Sequence, residues 1–321
     1  MNYDTKPILV VSKCLGFDAC RYNGGIENNN FIDNLRKYVD FIPVCPESDS
    51  GLPTPRDALR MIQKNDEFKV VVSKTGEDIT EKLEVFIEKF LNSLNDVDGF
   101  ILKNKSPSCG FKDAKIYTSI DKGAAIKRGK GIFAQKVIDK YPNVTIEDEG
   151  RLTNFKIREH FLTRIFILAS FREAKRSTDR EKLKKFHLTN MLLFLAYSQK
   201  YSKLLDSLIY DDELFNSNTL FIEYEKYLYK LLDRAPRYTS NINVLLKSIN
   251  SFKENITQEE MQFIWNTIDK YKKGLVPFSV PLYLVKGYII RFNLEYLSDQ
   301  SFFMPYPEEL IHVNDSGKLI H

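Results

Sequence analysis

The stretch Gly99-Phe100-Ile101-Leu102-Lys103-Asn104-Lys105-Ser106-Pro107-Ser108-Cys109-Gly110 decides how this chain is read. An apolar run feeds two lysines and then a Ser-Pro-Ser-Cys-Gly loop, the profile of a buried parallel strand that opens into a turn. The loop sets hydroxyls, a thiol and free backbone N–H groups where a sheet meets solvent. Two other segments share the construction. Ile8-Leu9-Val10-Val11-Ser12 runs into Lys13-Cys14, and Phe41-Ile42-Pro43-Val44 runs into Cys45-Pro46-Glu47. In one parallel sheet, these three strands would bring three sulfurs to its carboxyl edge, where open α/β sheets bind ligands.

Working outward, strand-like runs at 8–12, 41–44, 69–73, 99–102 and 143–147 alternate with helical patterns at 29–39, 54–64, 80–94 and 120–140. That alternation predicts a Rossmann-like α/β domain with helices on both faces of a parallel sheet. Thr80 reads as the N-cap of the third helix. After Glu147-Asp148-Glu149-Gly150 the period changes, and long amphipathic stretches dominate at 154–175, 180–209, 217–233, 240–253, 257–272 and 279–298. Apolar residues there recur at three and four spacings, so an all-α domain is expected from residue 153 to 321 behind an α/β domain at 1–152. Ala235-Pro236, Gly274 to Pro277 and Pro305-Tyr306-Pro307 break the pattern, and a frayed polar tail is expected from His312.

Length alone favours two cores, since 321 residues exceed what one hydrophobic core usually supports. With 43% hydrophobic and 28% charged residues, the composition is that of an ordinary globular protein and excludes a disordered chain. No window holds the roughly 18 to 20 apolar residues of a membrane span, and no apolar leader follows the start, so a cytoplasmic protein without membrane contact is expected. Four cysteines are too few for a secreted disulfide scaffold. The net charge of +4 is unevenly placed: 22 basic and 23 acidic residues precede Gly150, and 25 and 20 follow it. That asymmetry is compatible with an anionic partner of the helical half.

Cys14, Cys45 and Cys109 form no local metal-binding signature, so two readings stand side by side: a metal site built by the fold, or three small buried hydrophobes. Soft sulfur ligands would suit zinc or an iron–sulfur cluster. Cys20 reads as a bystander in a turn. Glu47, just past Cys45-Pro46, suits general acid–base work or a helix N-cap equally well. Ser106 and Ser108 suit turn capping or substrate contact, and Arg56, after Gly51-Leu52-Pro53-Thr54-Pro55, suits an anion or base edge. Arg21-Tyr22-Asn23-Gly24-Gly25 offers a cation, a ring and a flexible turn. In the helical half, Arg172, Lys175, Arg176, Arg180, Lys182, Lys184 and Lys185 form a basic run, and Tyr224, Tyr227 and Tyr229 interleave with Lys226 and Lys230. Cations with stacking rings hold nucleic acid, although a solvated charged face has the same composition. His160 and His187 read as packed helix residues.

In order along the chain, Ser12-x-Cys14, Cys20-Arg21-Tyr22-Asn23-Gly24, Cys45-Pro46-Glu47, Gly51-Leu52-Pro53-Thr54-Pro55-Arg56, Gly76-Glu77-Asp78-Ile79-Thr80 and Ser106-Pro107-Ser108-Cys109-Gly110 resemble the TudS thiouracil desulfidase family. Lys185-Phe186-His187, Asn241-x-Asn243-Val244-Leu245 and Pro305-Tyr306-Pro307 resemble the helical domain fused to that module in RudS-type tRNA 4-thiouridine desulfidases. The resemblance implies a 4Fe-4S cluster on Cys14, Cys45 and Cys109 with the fourth iron open to substrate. It further implies catalytic roles for Glu47 and Ser106, and substrate contacts from Arg21, Tyr22, Asn23, Arg56, Lys103 and Ser108. The implied reaction is redox-neutral conversion of tRNA 4-thiouridine to uridine with release of sulfide, the helical domain recruiting the tRNA. The alternatives are a desulfidase for free thiouracil and other small thiopyrimidines, or a non-catalytic iron–sulfur RNA-binding or sensor protein. Two departures stand out: Cys14-Leu15-Gly16-Phe17 where the family usually has Cys-Leu-Leu-Gly, and Asn23 where Asp is usual.

Overall fold

In chain order the elements of the first unit are β1 (Ile8–Ser12), α1 (Asn30–Leu35), β2 (Asp40–Val44), α2 (Pro46–Asp49), β3 (Leu59–Lys64), β4 (Glu67–Val72), α3 (Thr80–Ser93), β5 (Gly99–Leu102), β6 (Ala114–Tyr117), β7 (Lys127–Gly129), α4 (Ile132–Lys140) and β8 (Thr145–Asp148). They belong to a computed structural model that describes residues 5–64, 67–121, 123–210 and 217–311; the tail expected from His312 lies outside these residues. The chain divides into two units, Lys6–Phe161 and Leu162 onward. Among the described residues no helix is long and apolar enough to cross a membrane.

The parallel sheet has strand order β2-β1-β5-β8, with Ser12 level with Val44, Val11 with Ile101 and Leu102 with Asp148. The β-branched run of β1 is buried on both faces, as a central parallel strand must be. Strand order reverses between β1 and β5, so the loops after these two strands diverge and leave a crevice at their carboxyl ends. Phe100, Leu102, Phe133, Val137, Leu83 and Ile87 fill the core beneath it.

A second sheet, of order β4-β3-β6-β7, departs from the expectation of one sheet. Residues 54–64 do not form a helix: β3 and β4 make an antiparallel hairpin, and β6 adds in parallel beside β3. Alternating Met61 and Val70, with Ile116, point into the core and outweigh a pattern that fits helical spacing over so short a window. The helix expected at 120–140 is confined to α4, because residues 127–129 pair with β6 as the edge strand β7. Thr80 is not an N-cap either; Ile79 holds that position, and the Thr80 hydroxyl accepts from the Val70 N–H at 2.8 Å.

The second unit is helical: α5 (Phe155–Ser177, which begins in the first unit), α6 (Arg180–Tyr197), α7 (Gln199–Tyr210), α8 (Ser217–Leu231), α9 (Tyr238–Ile249), α10 (Gln258–Lys272), α11 (Ser279–Arg291) and α12 (Glu295–Ser298). The stretch expected as one helix over 180–209 breaks at Ser198, whose φ of −160° is extended. His187 is fully buried, with Nδ1 2.9 Å from the Tyr224 hydroxyl and Nε2 2.8 Å from Asp206 Oδ1. Tyr224, read from sequence as a stacking ring for nucleic acid, is core: it is fully buried and stacks on Phe171 at 5.6 Å.

Candidate active site

Three loops meet at the carboxyl edge of the parallel sheet. The first follows β1, where Gly16 takes φ +84°, a conformation that suits glycine, and its carbonyl accepts from Arg36 at 2.6 Å. Phe17, one of the family departures, packs edge-on against Phe41 under the Arg36 guanidinium. The second loop follows β2, where Pro46 starts the short α2 and the Cys45 sulfur accepts from the Ser48 N–H at 3.5 Å. The third is Lys103–Gly110. Its carbonyls at Pro107 and Ser108 accept the first N–H groups of α4, which would otherwise be orphaned. Gly131 makes that approach possible, since a Cβ there would lie 2.4 Å from the Ser108 carbonyl oxygen.

All four cysteines are free thiols. Cys14, Cys20 and Cys109 are buried and Cys45 is half-buried. Cys20 is not apart from the others: its carbonyl accepts from the Cys45 thiol at 4.0 Å, and its thiol is near enough to those of Cys14 and Cys45 to share their electrostatics. The Cys14 contact, with burial, pushes Cys20 up to about 11, and the Cys20 contact and burial push Cys45 up. Burial does the same to Cys109, opposed by its hydrogen bonds with Ser12 and Ser106. Among the described residues no three His, Cys, Asp or Glu side chains are close enough to hold a single metal ion.

Glu47 lies beside the thiols and is almost fully buried. Its Oε2 accepts from Arg56 Nε at 3.0 Å and from the same guanidinium's second nitrogen, while Oε1 accepts from the Ser108 hydroxyl at 3.0 Å. Arg56 also donates to the Cys20 carbonyl at 3.1 Å, so one guanidinium braces the carboxylate and the Cys20 turn together. Arg56 and Ser108 thus sit behind Glu47. Ser106 Oγ accepts from the N–H groups of Ser108 and Cys109 at 3.1 and 3.0 Å, tightening the loop that carries both.

Lys103 is held between Glu149 and Glu27, with Asn104 Oδ1 at 2.9 Å. Burial works against its charge, but the two carboxylates prevail and its pKa is raised. Arg21 pairs with Glu27 at 3.2 Å, Asn23 Oδ1 accepts from Gly25 N–H at 3.1 Å, and Tyr22 is exposed. The Tyr22 carbonyl accepts from the Arg56 N–H at 2.7 Å, which ties this turn to the Pro-rich loop. Residues that the sequence reading passed over include Ser12, whose buried hydroxyl accepts from the Lys103 N–H at 2.8 Å, and Glu149. Glu149 follows β8 directly, the sheet-edge position that singled out the cysteines.

Thiols and a braced carboxylate thus gather at the switch point of a parallel sheet, where α/β enzymes place their sites, and the sulfurs are donors of the soft kind. The family model described as 2-thiouracil desulfurase matches residues 9–149, and one described as a protein of unknown function (DUF1722) matches residues 192–307. An uncharacterized protein of Bacillus subtilis, YbbK, is 34% identical over 137 residues, which span 40% of this chain and 87% of that protein. An uncharacterized protein of Escherichia coli, YbgA, is 29% identical over 160 residues, 49% of this chain and 94% of its own. A solved structure described as a [4Fe-4S]-dependent thiouracil desulfidase, TudS, is similar at 27% identity and a TM-score of 0.38, over 46% of this chain and 94% of its own. The chain belongs to the 2-thiouracil desulfurase family, and is an enzyme of the desulfidase kind.

Proposed function

We propose that the first unit removes sulfur from a thiolated uracil ring, with 4-thiouridine in tRNA as its substrate, and that Cys14, Cys45 and Cys109 hold the 4Fe-4S cluster it uses. The observation that carries the reading is the meeting of buried thiols with the Arg56- and Ser108-braced carboxylate of Glu47 at one sheet edge. The donor set fits the group: sulfurs from three separate loops, two of them buried and the third half-buried, are soft ligands, and in a cluster each binds a different iron and need not converge on one point. When bound, the cluster supplies a Lewis-acidic iron for the thiocarbonyl sulfur.

The remaining work falls to this chain's side chains. Glu47 takes a proton from the attacking water at its carboxylate and returns one as the sulfur leaves. Two donors hold that carboxylate in one orientation, which limits the reorganisation each turnover requires. Ser106 is held by two N–H donors on its oxygen, which leaves its hydroxyl hydrogen to turn between the Cys109 sulfur and the substrate. The exposed Tyr22 ring, beside Arg21 and Asn23, would stack and orient the base. The helical unit contributes cations for the phosphate backbone, with Lys182, Lys184 and Lys185 on α6.

The test is anaerobic cluster reconstitution followed by incubation with thiolated bulk tRNA and with free 4-thiouracil, reading sulfide and loss of thiocarbonyl absorbance. Sulfide from tRNA is expected. Release only from the free base would turn the reading to small thiopyrimidines, a substrate class the family's description favours. An intact cluster with no release from either substrate would sink the catalytic reading.

A further inference from the structure

The second sheet carries a face that the desulfidase site does not use. In β3 and β6, Met61 is level with Ile116, so Arg60 and Lys115, one residue earlier in each parallel strand, are level as well. Lys115 in turn is paired directly with Arg128 of β7. Three cations therefore stand in one row across three adjacent strands, on the side opposite core residues Met61, Val70 and Ile116. Lys115 and Arg128 are exposed. Strand spacing of about 4.8 Å puts the ends of the row roughly 10 Å apart, a length over which a nucleic-acid strand at about 3.4 Å per phosphate presents several charges.

Like charges set directly opposite across a ladder are destabilising. Nearby acids do not offset them: among the described residues none of the three cations has a carboxylate within ion-pair distance, whereas Lys69 on the same face is paired with Asp78 at 2.8 Å. Arg60 donates to the carbonyls of Ile120 and Asp121, which fixes the guanidinium without neutralising it, and lies 4.3 Å over the Tyr117 ring. Beside the cation row runs a second row with Ile62 and Tyr117, level with one another. A row of cations, one of them held over an aromatic ring, matches a nucleic-acid strand better than an acidic peptide, which has no bases to stack.

We infer that the outer face of β3, β6 and β7 is a binding surface for the phosphate backbone of the substrate RNA. The inference rests on the tRNA reading above and adds a second contact area, within the unit that holds the site. Leu59 begins three residues after Arg56 and Ala114 five after Cys109, so Arg60 and Lys115 stand at the ends of β3 and β6 that follow directly on site residues.

The experiment uses the full chain and, as its probe, fluorescently labelled bulk tRNA without thiolated bases, so that binding is read apart from turnover. Anisotropy is followed from about 50 to 300 mM salt for the wild type and for Lys115→Ala/Arg128→Ala. Loss of two phosphate contacts should lower the slope of log affinity against log salt by about 1.5 to 2, and weaken binding at least tenfold near 0.15 M salt. Turnover of free 4-thiouracil should stay unchanged. An unaltered slope and affinity in a wild type that does bind tRNA would overturn the face assignment and leave the tRNA reading standing. A wild type that binds no tRNA would remove that reading and this face with it. Displacement of tRNA by polyglutamate at equal charge would show a generic polyanion face and overturn the assignment.

Discussion

Ser108 donates its hydroxyl to Glu47 Oε1 at 3.0 Å across 61 residues of sequence, joining the loop after β5 to the start of α2 in a fully buried contact. Arg56 holds the other oxygen. In Ser108→Ala the carboxylate keeps its salt bridge but loses the donor that fixes its rotation. We expect roughly a ten- to hundredfold loss of kcat with little change in KM, and a stability cost of about 1 to 3 kcal/mol in urea melts for the unsatisfied acceptor. A normal kcat would mean that this contact serves stability alone.

Arg56→Ala leaves a buried carboxylate without its cation. Breaking such a pair costs about 3 to 5 kcal/mol, so poor expression or a much lower urea midpoint is expected. Arg56→Lys keeps the charge but cannot also reach the Cys20 carbonyl from the same planar fork, and should fall between the two. Equal stability of Arg56→Lys and wild type would show that the fork geometry is dispensable.

Glu47→Gln preserves shape and both donors' proximity while removing the basic oxygen. Reconstituted protein should keep its cluster absorbance and lose about 10² to 10⁴ in kcat, as for a positioned acid or base. Cluster loss in this variant would move Glu47 from proton transfer to assembly of the site.

Gly131→Ala tests the seating of the cysteine loop on α4. The added Cβ would meet the backbone of Ser108 and Pro107, which cannot yield as a side-chain end can. Overpacking of this kind costs about 1 to 3 kcal/mol, or several degrees of Tm. The same displacement should make Cys109 easier to alkylate in the cluster-free protein, which a mass shift after iodoacetamide reads directly.

Burial holds the His187 pKa below its ordinary value, in spite of Asp206. The unfolded chain then takes up a proton near the ordinary value of about 6.5, before the folded chain does. Stability should therefore fall as pH drops below about 6.5, and this component should level off once pH is beneath the folded pKa. Thermal melts between about pH 7.5 and 5 should show a smaller drop in His187→Gln than in wild type. An identical pH dependence would exclude His187 as the source.

The sequence made the parallel strands legible because each is a short, largely apolar run, three of the four leading into a loop that carries a cysteine, and a chain buried on both faces has few other ways to place such runs. The helical half was legible from its period. The second sheet was not, because residues 54–64 hold too few apolar positions to separate a half-buried strand from a helix, and the pairing that decides between them comes from β4 and β6. The same limit applied to Tyr224, whose basic neighbours read as a surface while its ring lies in the core.

By itself the sequence determined which residue types could meet at one edge: three strand-end thiols, a carboxylate after Cys-Pro, and a Ser-Pro-Ser-Cys-Gly loop. Only the tertiary structure decided what each of them touches. It brought Cys20 among the other thiols, turned Arg56 and Ser108 onto Glu47, and set Arg60, Lys115 and Arg128 in one row. Such contacts depend on strand register and loop closure between residues far apart in the chain, which no local pattern encodes.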